Sequence, residues 1–274
     1  MSDSIPDSAQ ADDALAPVRA LRVQAQARSS RDDAVVVEAP VALLYNGLSF
    51  AVMMATPCNL EDFALGFALS EGIVDAANEF RLVDVVRSDA GISLHAAIPQ
   101  ARYDALARRR RGLEGRSGCG LCGVEALQDA LRAVPRVPEP QAVSLRQIQA
   151  ALQALSTQQP LNARSGGVHA AGFAHDGGLL VREDVGRHNA LDKLIGALVN
   201  AGSDPAHGFL VITSRASYEI VHKAAMAGIG IVVAISAPTD LAIRTAEAAG
   251  ITLAAFARGD ALNLYAHPQR LASP

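Results

Sequence analysis

The hydrophobic positions fall into two styles along the chain. Up to about residue 140, brief apolar stretches are separated by turn residues. Residues 35–38 and 41–45 read as strands on either side of Pro40. Asn46-Gly47 is a hairpin turn, and 48–54 forms the return strand. A helix starts over 56–61, with Thr56 or Asn59 as its cap and Phe63, Phe67 and Ala68 on one face, and Gly72 stops it. Residues 82–87 and 92–98 predict a second hairpin across Asp89-Ala90-Gly91. Residues 101–123 are arginine- and glycine-rich and read as irregular. Val124, Leu127, Leu131 and Val134 then recur at helical spacing, until Pro135, Pro138 and Pro140 end the run.

Beyond the prolines the pattern is more regular. Ser144 caps a helix carrying Leu145, Ile148, Leu152 and Leu155 on one face. Strands at 168–173 and 179–183 precede a helix over 187–200. Strand and helix then alternate at 209–213, 218–227, 229–235, 241–249 and 251–256. Short continuous apolar runs of this kind suit parallel strands covered on both faces. The layout is βαβαβ, so this half is α/β, and the first half is α+β. The expected organisation is a disordered tail over 1–16, an α+β domain over 17–140 that includes the cysteine loop and its following helix, and an α/β domain over 141–274. The boundary falls between about 135 and 160.

One consequence concerns chemistry. Parallel strands share a carboxyl edge, where open α/β sheets bind ligands. Three exits meet there: Thr213-Ser214-Arg215, Ser236-Ala237-Pro238-Thr239, and Phe256-Ala257-Arg258-Gly259-Asp260. Arginines and free amides at such an edge suit phosphate. No GxGxxG or Walker A sequence is present, so a standard dinucleotide or ATPase site is unsupported.

Composition narrows the class. The formal net charge is −4, which gives no argument for nucleic acid or an anionic membrane. Lys193 and Lys223 are the chain's lysines, and every other basic side chain is arginine or histidine. Three cysteines exclude a disulfide scaffold and fit a reducing compartment. No secretory leader or membrane-length apolar run is visible, so the expected location is cytoplasmic, without membrane association.

Two of the cysteines lie in Gly115-Arg116-Ser117-Gly118-Cys119-Gly120-Leu121-Cys122-Gly123. A single CxxC serves as half a zinc site, a dithiol redox pair or a sulfur carrier. Zinc needs two further ligands, and neither Cys58 nor the histidines supply a pair at finger spacing. Thioredoxin-like chemistry wants the motif just after a strand. Unreactive loop thiols are the plainest alternative. A carrier accounts for more of the surroundings. Arg108 to Arg111 and Arg116 lie upstream, a helix opens near Val124, and both features favour the thiolate. Cys58, after Pro57, reads as structural.

These residues resemble a known family. Residues 116–123 are similar to the cysteine loop of the formate dehydrogenase accessory sulfurtransferases, the FdhD family. Gly166-Gly167-Val168-His169-Ala170-Ala171, then Arg182-Glu183-Asp184-Val185-Gly186-Arg187-His188-Asn189-Ala190 with Asp192-Lys193, resemble its next signatures. Thr213-Ser214-Arg215-Ala216-Ser217-Tyr218-Glu219 is similar to its Ser-Gly-Arg-x-Ser-x-Glu segment, with Ser214 in place of the usual glycine. Ser236-Ala237-Pro238-Thr239 and Phe256-Ala257-Arg258-Gly259 complete a resemblance over roughly 35–270. A glycine requirement at 214 would strain the serine.

The resemblance implies a carrier that takes persulfide sulfur from a cysteine desulfurase and passes it to the molybdenum bis(molybdopterin guanine dinucleotide) cofactor for formate dehydrogenase. Cys119 would hold the persulfide, and Cys122 would assist or resolve it. Phe256, Ala257, Arg258, Gly259, Asp260 and Ala261 match the family's cofactor-binding stretch, and Ser214, Arg215 and His169 join them as contacts. The resemblance also implies a cytidine deaminase-like C-terminal domain and a homodimer, with no permanent metal. The alternative is a cofactor chaperone that handles no sulfur. A deaminase needs His-x-Glu with Pro-Cys-x-x-Cys; His169 is followed by Ala170 and Ala171, so that activity is not expected. Glu183, Asp184, Arg187, His188 and Asn189 read as a polar wall facing the cofactor, with Asp184 and His188 able to pair along the helix.

Overall fold

A computed structural model describes residues 13–25, 27–114 and 133–272, with side chains to Arg108 in the second stretch. Cys119, Cys122, Arg116 and most of the helix expected after Val124 lie outside these residues.

The described chain opens with a hairpin, β1 (Leu15–Gln24) and β2 (Ala27–Val36), paired in register along its length. This corrects the expected tail at its inner end, because Ala14 and Leu15 are buried. A four-stranded sheet of order β4-β3-β6-β5 follows, from β3 (Ala39–Tyr45), β4 (Leu48–Ala55), β5 (Arg81–Ser88) and β6 (Gly91–Ala97). The β3–β4 turn is Asn46-Gly47, both at positive φ. Helix α1 (Leu60–Ser70) covers one face of this sheet with Phe63, Ala64 and Phe67. Asn59 is its N-cap residue, in a left-handed conformation and without a side-chain cap bond.

Helix α2 (Gln100–Glu114) replaces the irregular stretch expected from residue 101. Arginine, alanine and leucine are good helix formers and outweigh Gly112, and the other glycines that suggested irregularity come later. Helix α3 (Leu145–Thr157) begins at Ser144 with a reciprocal capping box to Gln147, and a short α4 (Pro160–Ser165) follows.

The second sheet has six strands in the order β12-β11-β10-β9-β7-β8. They are β7 (His169–His175), β8 (Gly178–Asp184), β9 (Gly208–Ile212), β10 (Ile231–Ala234), β11 (Thr252–Arg258) and β12 (Ala261–Ala266). The central β9, β10 and β11 are parallel, as the alternation predicts. Strands β7, β8 and β12 run antiparallel to their neighbours. Helices α5 (Arg187–Asn200), α6 (Tyr218–Met226) and α7 (Asp240–Ala249) bury leucine, isoleucine and alanine on one face. Helix α3 covers the other with Ile148, Ala151 and Leu155.

The two sheets are joined through α1 and α5, which cross at glycines. A Cβ on Gly66 would fall 1.7 Å from the Asp192 carbonyl oxygen, and one on Gly196 would fall 2.0 Å from that of Asp62. The layers therefore run sheet, α1, α5, sheet, with main chain against main chain at the middle.

Candidate functional site

The register fixes what shares the carboxyl edge of the parallel strands. Antiparallel pairing of β7 with β9 puts His169, the first residue of β7, beside the exit of β9. Thr213 seals this corner: its hydroxyl accepts from the Ala170 amide at 3.0 Å, and its own amide donates to the Ala170 carbonyl at 3.1 Å. His169 is in turn the register partner of Asp184, so the start of α5 arrives at the same edge. The loops after β9 and β10 stay tied together, with the Ala216 amide donating to the Ala237 carbonyl and the Thr239 amide to the Ala216 carbonyl. The Phe256 amide donates to the Ser236 carbonyl, which draws the end of β11 into the group.

Arg215 and Arg258 are exposed there, on different strand exits, and the planar guanidinium fork is a shape that suits an anion. Phe256 is 47% exposed and sits at φ 52°, an uncommon conformation for a bulky residue. The β11–β12 ladder shifts register between Ala255 and Arg258, and that irregularity holds Phe256 out from the sheet. Arg258, Gly259, Asp260 and Ala261 make a hairpin turn into β12 rather than a free strand exit. Strand β12 has no counterpart in the sequence reading.

Ser214 is buried at negative φ, with its hydroxyl donating to the Arg215 carbonyl at 3.1 Å. The backbone at this position makes no demand for glycine, so the expected strain is absent.

The polar run before α5 is corrected most. Asp184 pairs with Lys193 at 2.7 Å rather than with His188, and both side chains are fully buried. The Asp184 carboxylate accepts from the Thr56 and Gly186 amides and from Asn189 Nδ2. Lys193 also donates to the Thr56 carbonyl, and Asn189 to that of Met54. Glu183 accepts from the Leu161 and Asn162 amides at the start of α4. These groups face inward and lash the β4–α1 junction to the β8–α5 turn. A second knot lies deeper: Lys223 donates to both Asp192 oxygens at 2.9 and 3.0 Å, to Ser70 and to Glu71.

Arg187 and His188 remain for the edge. Arg187 Nε and His188 Nε2 are buried nitrogens without hydrogen-bond partners among the described residues. Burial, and then the Arg187 charge, push the His188 imidazole down to about 4, so it is neutral at physiological pH. Burial and Arg187 also lower His169. His188 Nε2 stands 3.8 Å from a Glu219 carboxylate oxygen, across the α5 and α6 starts. Cys58 is buried with its sulfur 3.7 Å from Lys193 Nζ, and burial raises its thiol. That environment suits the structural reading of Cys58.

A family model described as the FdhD/NarQ family matches residues 36–272. The chain belongs to the FdhD/NarQ family. Among its relatives is the sulfur carrier protein FdhD of Xanthomonas euvesicatoria pv. vesicatoria, 54% identical over 257 residues, covering 93% of this chain and 92% of the relative. The FdhD of Variovorax paradoxus, also named a sulfur carrier protein, is 49% identical over 259 residues, covering 94% and 92%. A crystal structure of a provisionally assigned formate dehydrogenase accessory protein from Desulfotalea psychrophila superposes with a TM-score of 0.72 at 25% identity, covering 94% of this chain and 99% of that one. The mixed α/β fold is therefore one this chain shares with that accessory protein.

Among the described residues no three potential metal ligands gather, and no helix is long and apolar enough to cross a membrane.

Proposed function

We propose that this family member is a sulfur carrier that moves persulfide sulfur from a cysteine desulfurase to the molybdenum bis(molybdopterin guanine dinucleotide) cofactor of formate dehydrogenase, in the cytoplasm. One observation carries the reading: the family span of residues 36–272 contains Cys119 and Cys122, and relatives about half identical over nearly the whole chain are named sulfur carriers.

The first step is thiol exchange. The Cys119 thiolate attacks the terminal sulfur of the desulfurase persulfide, the donor's S–S bond breaks, and the desulfurase leaves as a thiolate. Cys119 now holds the sulfane sulfur. In the second step Cys122 attacks the Cys119 sulfur. A disulfide forms, and the outer sulfur leaves with the electron pair as sulfide for the metal of the cofactor substrate. The two thiols supply both electrons, and a cellular dithiol returns the pair to its starting state.

Support for the acceptor comes from the carboxyl edge. Arg215 and Arg258 are exposed there, Arg187 and His188 bring nitrogens that have no hydrogen-bond partner among the described residues, and His169 adds a neutral ring. Such a set suits the phosphates of a guanine dinucleotide. The stretch from Phe256 to Ala261 borders it, with Ser214 behind.

The test is intact-mass measurement of the full chain after incubation with a cysteine desulfurase and cysteine. The wild type gains the mass of one sulfur atom, and Cys119→Ala does not. A Cys119→Ala protein that still supports formate dehydrogenase activation would leave the chaperone reading in place and remove the carrier role.

A further inference from the structure

The six-stranded sheet carries a second concavity at its other end. A cleft of about 330 Å³ opens beneath α3, beside the β7–β8 turn and the start of β9. The length of β9 separates it from the carboxyl edge by roughly 13 Å, and it lies on the α3 face of the sheet, opposite α5 and α6. Arg187, His188, Arg215 and Phe256 take no part in its lining.

Small residues make the space. Helix α3 packs Ile148 and Leu155 into the sheet. Its row toward the cleft is Gln147, Ala150, Ala151, Ala154 and Gln158, spaced as neighbours along one helix face. The alanines leave room over a floor of Ala174, Gly208 and Phe209, all buried. The volume is at the lower end of ligand pockets, which run from about 300 to 1,000 Å³ and are apolar with a few polar groups.

Two histidines on the rim define what fits. The Gly177 amide donates to His175 Nδ1 at 3.0 Å, so the neutral ring carries its proton on Nε2 and offers a donor. Stacking on Phe173 holds that ring, with 6.3 Å between centroids and 25° between planes. His207 is wired the opposite way. Its Nδ1 lies 2.9 Å from an Asp204 carboxylate oxygen, which accepts, so the neutral ring leaves Nε2 bare as an acceptor. Gln141 and Gln158 add side-chain amides that do both. Asp176 on the rim and Asp204 behind His207 place negative charge at the mouth, which disfavours anions.

We propose that this cleft binds an uncharged aromatic amide of about two rings. The rings lie on the alanine and Phe209 surface, the amide oxygen accepts from His175, and the amide N–H donates to His207. A carboxylate of the same shape lacks the donor and brings the wrong charge. The inference does not rest on the sulfur-carrier reading.

The experiment is equilibrium dialysis of the full chain against 2-naphthamide, read by naphthalene fluorescence, which no tryptophan of this chain obscures. One molecule per chain is expected to bind, with a dissociation constant of roughly 0.1 mM, the scale for a ligand of this size. The carboxylate 2-naphthoate binds at least tenfold more weakly. Ala154→Leu fills the cleft and weakens 2-naphthamide at least tenfold, and the exposed Ala150→Leu does the same should the first variant fail to fold by circular dichroism. His175→Phe keeps the ring and removes the donor, weakening binding about fivefold, as the loss of one hydrogen bond requires. Three results would overturn the proposal: no saturable binding of 2-naphthamide, binding indifferent to the folded leucine variants, or 2-naphthoate bound as tightly as the amide.

Discussion

Replacing Gly196 with alanine pits two effects of opposite sign against each other. Inside an unencumbered helix the change favours folding by about 1 kcal/mol, because alanine surrenders less backbone freedom. At Gly196 the new methyl would sit 2.0 Å from the Asp62 carbonyl oxygen, whereas ordinary contact begins at 3.4 Å. The obstacle is main chain on both sides, so α1 and α5 must separate by more than about 1 Å, and overpacking of this kind costs roughly 1–3 kcal/mol or more. Separation also stretches the Asp184–Lys193 and Asp192–Lys223 knots beside the crossing. Main chain cannot yield as a flexible side chain can, so the cost falls at the upper end, about 3 kcal/mol; the net loss is then about 2 kcal/mol, and a chain this size loses roughly 2–4 °C of Tm per kcal/mol. We expect the midpoint to fall by about 4–8 °C in calorimetry. Gly66→Ala should do the same, and the double variant should cost less than the sum, since one separation relieves both clashes. A Tm that rises for Gly196→Ala would refute the close-crossing argument.

Two further outcomes follow from buried charge. Lys193→Met strands the Asp184 carboxylate and should cost about 3–5 kcal/mol in urea unfolding, while Lys193→Met with Asp184→Asn should recover much of it; equal losses would mean the pair itself matters little. His188, held down at about 4, stays neutral in the fold, while the unfolded chain takes up its proton near pH 6.5. The unfolded state therefore binds more protons between those values. Stability falls as pH drops through that window, by up to about 2 kcal/mol between pH 7.5 and 5. His188→Gln should flatten this part of the profile, and an unchanged slope would remove His188 as its source.

How much was legible depended on where each signal lives. Asn46-Gly47, the Ser144 cap and the βαβαβ alternation are local patterns, and each appears where the residues indicate. The hairpin of β1 and β2 leaves little mark on the sequence, because an arm in solvent needs no apolar face and its strands lack the alternation of a buried sheet. Strand β12 was hidden by reading the Phe256–Arg258 segment as a strand exit, when Gly259 at positive φ turns the chain back. At the site, the shared edge followed from parallel strands alone. The inward aim of Asp184, Asn189 and Lys193 did not. Their partners at Met54 and Thr56 lie more than a hundred residues away, and nothing near residue 184 hints at them.

The buried knots give the molecule a built-in reporter. Both lysines of this chain are inside, Lys193 at 0% and Lys223 at 6% exposure, and the other basic side chains are guanidinium or imidazole. An acylating reagent directed at amines finds no lysine on the native surface. It gains one only when α5 or α6 lifts from its neighbours. The rate of lysine labelling is therefore a clock for the opening of the interior between the two sheets, readable residue by residue without any engineered probe.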